Sequence, residues 1–187
     1  GPDFSGEAQP FKEVQEIGSG GLDEYDLAAL TEVNAPYDSY GVGTKMGVSA
    51  DAPWLDMAYK MVEYNGRPVL KLSTGKVSSP GRKQIFRFVD GQGRLLKDVI
   101  ALRHEELPGA EPLLKKVMEK GEIKGAYPSL REIRESFLDE FGRLDENTRA
   151  IRNPAIYPVE VSPRLTHLKA EIEQQVAQTQ LPLTQSI

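Results

Sequence analysis

In the first fifty residues the apolar positions come in short bursts that end in glycine. Val14 to Ile17 is a short strand candidate, and it runs into Gly18-Ser19-Gly20-Gly21. Leu22, Leu27 and Leu30 then recur on one helical face, with Ala28 and Ala29 as helix formers. Asp23 is placed to cap that helix, with Glu24 and Asp26 in its first turn. Asn34-Ala35-Pro36 breaks the pattern, and a second burst, Tyr37 to Tyr40, runs into Gly41-Val42-Gly43-Thr44. Strand, glycine loop, helix, strand, glycine loop reads as one βαβ unit.

The period then changes. Tyr59–Tyr64 and Arg67–Leu72 flank Asn65-Gly66, a strong hairpin signal, with Pro68 tolerable on an edge strand. Gln84–Val89 and Arg94–Leu102 flank Asp90-Gly91-Gln92-Gly93, a second hairpin. Together the two predict a small antiparallel sheet. In the last third the spacing is helical. Ser129 and Glu132 form a capping-box pattern ahead of a stripe of Leu130, Ile133, Phe137, Phe141 and Leu144. Ser162-Pro163 opens another helix, with Leu165, Leu168, Ile172 and Val176 on one face and a frayed tail beyond. These stripes read as core or docking surfaces. The expected organisation is a flexible leader at 1–12, a βαβ portion at 13–58, an antiparallel β segment at 59–102 and a helical segment at 103–187. The fold class is α/β.

Composition narrows the function classes. The chain has 187 residues, 39% hydrophobic and 27% charged, and no Cys. Disulfides, thiolate nucleophiles and Cys-ligated metals are excluded, which fits a cytoplasmic protein. No apolar run is long enough to span a bilayer, and the opening GPDFSGEAQP has no leader pattern. A net charge of −5 does not favour nucleic acid. The distribution is uneven, however. Between Tyr64 and Val89 there is no Asp or Glu, while Arg67, Lys71, Lys76, Arg82, Lys83 and Arg87 all fall there. That run is either a solvated basic face or a cationic wall for a phosphorylated small molecule.

The chemistry with most support is anion binding. The two glycine loops lie one βα unit apart, which would bring both to the C-terminal edge of parallel strands. Without a Cβ, backbone N–H groups can approach an anion closely. A helix start behind Gly21 would add donors, and Ser19 and Thr44 add hydroxyls. Structural turns explain such glycine pairs equally well, and Asp23, Glu24 and Asp26 must point away from any anion bound there. GVGTKMG is not the dinucleotide fingerprint, because its third glycine is one position late. His104 and His167 have no spaced partners for a metal site or a triad and read as surface residues, and Asp51 reads as a loop or cap residue.

The stretches SGGLDEYDLAAL, GVGTKMGVSADAPWLDMAYKMVEYNGRPVLKLS, GKVSSPGRKQIFRF and YPVEVSPRL resemble the nicotinate phosphoribosyltransferase family in order and spacing, from about Ile17 to about Val176. The resemblance implies the last βα units of a barrel-like type II phosphoribosyltransferase domain, followed by an antiparallel β segment and C-terminal helices. It implies an enzyme of pyridine nucleotide salvage, making nicotinate mononucleotide and diphosphate from nicotinate and phosphoribosyl diphosphate. It also implies coupled ATP hydrolysis, assistance by Mg²⁺ and a homodimeric complete enzyme. Ser19, Gly20, Gly21, Gly41, Gly43 and Thr44 resemble the 5′-phosphate cradle. Arg82 and Lys83, with Lys76 as a weaker candidate, resemble diphosphate or ATP contacts.

The family's phosphorylatable histidine, base-recognising residues and acidic Mg²⁺/ribose motif lie upstream of the SGG loop. The chain is therefore expected to carry no catalytic residue or metal ligand and to bind no cofactor alone. It is expected to need an N-terminal half or second subunit, to be inactive by itself, and to self-associate or be partly unfolded in isolation. Two other expectations stand beside this one: a non-catalytic phosphate-binding or interaction subunit, and a related nicotinamide or quinolinate phosphoribosyltransferase.

Overall fold

The computed structural model describes residues 14–55, 57–75 and 77–180. The expected leader at 1–12 and the end of the tail lie outside the described residues. The chain divides into two compact units after Met57.

In the first unit, β1 (Ile17–Leu22) and β2 (Ser39–Val42) form a two-stranded parallel sheet. The helix α1 (Glu24–Glu32) connects them, and the one-turn α2 (Thr44–Gly47) follows β2. The βαβ order stands, but the strands sit further along the chain than their apolar bursts. β1 begins at Ile17 and continues through the glycines, because the register shifts between Ser19 and Leu22. Gly20 (φ +131°) and Gly21 (φ +68°) form that bulge in backbone conformations that side chains rarely adopt. The strand start is pinned by Asp38, whose carboxylate accepts the Glu16 N–H at 2.7 Å. Asp23 caps α1, and Asp26 returns the bond to the Asp23 N–H at 3.1 Å.

In the second unit a four-stranded sheet has the order β10-β6-β5-β7. Its members are β5 (Lys83–Val89), β6 (Leu95–Leu102), β7 (Ala110–Pro112) and β10 (Val159–Val161). β5 and β6 form the expected hairpin, with Phe86 opposite Val99 and Arg87 opposite Asp98. Its turn is held by the Asp90 carboxylate, which accepts the Gln92 and Arg94 N–H groups at 2.8 and 2.9 Å. β10 adds parallel to β6, and α4 (Pro163–Gln180) packs on β6. The core gathers Phe86, Val99, Ala101, Leu102 and Leu165. The helix α3 (Leu130–Gly142) starts at a complete Ser129/Glu132 capping box, as its sequence predicts.

Three expectations are corrected. The Asn65-Gly66 turn forms, with both residues at positive φ, but its strands β3 (Glu63–Tyr64) and β4 (Arg67–Pro68) are two residues long and form a separate sheet. Residues 103–187 are not purely helical: they contain β7, β10 and the small hairpin of β8 (Met118–Glu119) and β9 (Glu122–Ile123). α4 also runs to Gln180, past the expected fraying point at Val176.

Candidate functional site

The parallel register sets Ser19 beside Gly41 and Leu22 beside Val42, so the two glycine loops end at the same edge of the first unit's sheet. Ser19, Gly20, Gly21, Gly41, Gly43 and Thr44 are all exposed there. The glycines have different reasons to be glycine. A Cβ on Gly18 would meet the Tyr40 and Tyr37 rings at 3.2–3.3 Å, so Gly18 makes room for an edge-to-face tyrosine pair. A Cβ on Gly41 would come within 3.1 Å of the Ser19 Cβ, so Gly41 lets the strands approach. Gly20, Gly21 and Gly43 face open space, with nothing within 4 Å of a built Cβ. Those three leave room for a group from outside to approach the backbone.

The α1 start does not add the free donors that its position predicts. Asp23 Oδ1 already accepts the Tyr25 and Asp26 N–H groups at 3.1 and 3.0 Å. Its second oxygen accepts Lys45 Nζ at 2.8 Å, and Lys45 also lies 3.7 Å from Asp26 Oδ2. The hydrogen bond from Lys45, followed by the backbone bond at Asp26, holds the Asp23 carboxyl down at about 2. The same pairing raises Lys45 above its ordinary value. The acids beside the glycine loops are thus engaged with the helix start and with a lysine. Lys45 was not singled out in the sequence. The available signal is that each glycine motif ends in a charge, SGGL-Asp23 and GVGT-Lys45.

The basic run behaves unlike a single cationic wall. Arg87 is committed to the sheet: its guanidinium donates to both Asp98 oxygens at 2.9 Å and to Glu140 at 2.8 Å. Arg82 donates through Nε and Nη2 to one oxygen of Glu63, at 2.9 and 2.7 Å, while remaining largely exposed. Lys83 donates to the Gly81 carbonyl at 2.7 Å, and partial burial pushes its pKa down. Arg82 and Lys83 follow a rigid anchor. Pro80 is fully buried, and Gly81 (φ +76°) leaves only 3.0 Å between a built Cβ and Leu102. Lys76 lies outside the described residues. His104 is exposed, and His167 is exposed beside Glu171 at 3.2 Å. Among the described residues no three His, Asp or Glu side chains gather as a metal site, and no helix is long and apolar enough to cross a membrane.

Residues 109–169 match the family model described as the nicotinate phosphoribosyltransferase C-terminal domain. The nicotinate phosphoribosyltransferase pncB2 of Mycobacterium tuberculosis is 40% identical over 157 residues, covering 83% of this chain and 34% of that protein. The Rattus norvegicus nicotinate phosphoribosyltransferase is 30% identical, covering 80% of this chain and 32% of its own length. The chain thus spans about a third of the length of these relatives. Among solved structures, human nicotinic acid phosphoribosyltransferase superposes with a TM-score of 0.67 at 26% identity, over 85% of this chain and 33% of that one. A nicotinate-nucleotide pyrophosphorylase from Pyrococcus furiosus superposes with a TM-score of 0.53 at 35% identity, over 68% of this chain and 31% of that one. By sequence and by fold, the chain belongs to the nicotinate phosphoribosyltransferase family and corresponds to its C-terminal part.

Proposed function

We propose that this chain supplies the phosphate-binding part of a nicotinate phosphoribosyltransferase, which makes nicotinate mononucleotide and diphosphate from nicotinate and phosphoribosyl diphosphate. The observation that carries the reading is the pair of glycine loops at one parallel sheet edge, with Gly20, Gly21 and Gly43 open to an approaching group. β1 and β2 would be consecutive strands of a barrel-like domain, whose late loops often bind phosphate.

The reaction displaces diphosphate at ribose C1 through a transition state with oxocarbenium character. Holding both ends of the donor supplies the orientation that such a displacement needs. In this reading the N–H groups of Gly20, Gly21 and Gly43 and the hydroxyls of Ser19 and Thr44 hold the 5′-phosphate. Arg82 and Lys83, in this or a neighbouring subunit of a dimer, oppose the diphosphate as charge builds on it. Arg82 would do so while sharing its guanidinium with Glu63. The family implies Mg²⁺ and coupled ATP. Among the described residues no group of His, Asp and Glu side chains is gathered to hold that ion.

The reading is tested by titrating the ¹⁵N-glycine-labelled chain with phosphoribosyl diphosphate. Saturable shifts at the Gly20, Gly21 and Gly43 amides are expected, and Gly20→Val should abolish them. Glycine signals unmoved by the ligand would remove the cradle assignment. An assay for nicotinate mononucleotide, with nicotinate, nicotinamide and quinolinate in competition, then identifies the base. Phosphate binding without turnover would mark a binding subunit instead.

A further inference from the structure

The cradle reading raises a problem of charge, which one lysine reduces. Asp23 follows the first glycine loop, and Asp26 lies one turn into α1. Two carboxylates beside a phosphate site would repel its ligand. Lys45 answers this from the other loop: it comes directly after Thr44, bonds Asp23 at 2.8 Å and lies 3.7 Å from Asp26. Asp23 is itself tied to the first loop's helix through the Tyr25 and Asp26 N–H groups. The result is a bridge from one glycine loop to the other, 22 residues apart in sequence, made by a single ion pair.

We propose that Lys45 is a positioning residue of the anion cradle: paired with Asp23, it holds the two glycine loops at one spacing. The inference rests on the cradle reading. Lys45 and Asp23 are both partly exposed, so their pair contributes little to the stability of the fold. A structural role alone would therefore leave little trace when the pair is broken, whereas a positioning role appears in ligand affinity.

The test is binding of ribose 5-phosphate, with inorganic phosphate as a second probe, to the full chain and four variants, followed by the glycine amide shifts. Lys45→Ala should weaken binding roughly fivefold, the range an exposed ion pair can carry. Lys45→Arg should restore it, because the charge and reach return. Asp23→Asn keeps an oxygen for the helix cap and should weaken binding by a similar factor. The double variant Asp23→Asn/Lys45→Ala should be no weaker than Lys45→Ala alone. Thermal melts of all variants should coincide with that of the parent. A parent chain whose glycine amides ignore both probes overturns the cradle and the bridge with it. A parent that binds, with Lys45→Ala binding equally well, overturns the bridge alone. Tighter binding by Asp23→Asn would make Lys45 a direct anion ligand that Asp23 restrains, and would also overturn the positioning role.

Discussion

Arginines close together in this sequence have different physical fates. Arg87 lies opposite Asp98 in the β5–β6 ladder, and the two side chains are 16% and 12% exposed. Glu140 from α3 and the Tyr157 hydroxyl, 3.1 Å from Asp98, complete the group. Hydrogen bonds donated to Asp98 raise the Arg87 pKa further, so the guanidinium stays charged at every accessible pH. A shielded pair of this kind need not stabilise the fold compared with apolar side chains, but losing one partner strands the other. Arg87→Met should therefore destabilise the chain by about 3 kcal/mol in urea unfolding. The double variant Arg87→Met/Asp98→Leu should recover most of that loss. A single variant as stable as the parent would show that water already reaches Asp98. Arg82, by contrast, is exposed and pairs with Glu63 at the surface.

Helix starts show what local sequence determines. Asp23/Asp26 and Ser129/Glu132 both form reciprocal caps, and both follow from residues three apart. The Asp23 carboxyl is held at about 2, and Glu132 is lowered by the hydroxyl and N–H of Ser129. A carboxylate depressed on folding stabilises above its ordinary pKa, and that contribution is lost as pH falls through its folded value. The Asp23 carboxylate should thus contribute above its ordinary range and lose that contribution as pH falls toward about 2, while Glu132 should lose its own as pH falls below the ordinary carboxylate range. Ellipticity at 222 nm should fall over that interval. Glu132→Gln, which keeps an acceptor that does not titrate, should flatten the part due to α3. An acid limb unchanged by Glu132→Gln would show that the α3 cap does not contribute to it. The same locality explains which features were legible. The glycine loops, the Asn65-Gly66 turn and the caps are written in neighbouring residues. β7 and β10 are three residues long, β8 and β9 only two, and β10 exists through pairing with a strand some sixty residues earlier. The Arg82–Glu63 and Lys45–Asp23 pairs likewise join distant positions, so neither followed from spacing.

At the scale of the whole chain, large apolar side chains outnumber the places that cover them. Among the described residues, the core side chains Phe86, Val99, Ala101, Leu102 and Leu165 belong to β5, β6 and α4. In the first unit no residue of α1 is buried, and its Leu27 and Leu30 are only partly covered. In the second unit the α3 stripe stands open, with Leu130 at 86% and Phe137 at 61% exposure. Ile133, Phe137, Phe141 and Leu144 line a hollow of about 520 Å³ against Leu95 and Tyr157. Contiguous apolar surface of this kind drives association at the cost of the monomer. The chain on its own should therefore run above 20.7 kDa in size-exclusion chromatography with light scattering, with a mass that rises with concentration. Phe137→Asp should lower that mass if the α3 face is the contact. The single tryptophan, Trp54, gives a second readout, since it is 75% exposed and its emission should shift to the blue wherever association covers it. A monodisperse 20.7 kDa species at every concentration, with a sharp cooperative melt, would mean instead that the core around β5, β6 and α4 suffices and that the exposed stripe is tolerated in water.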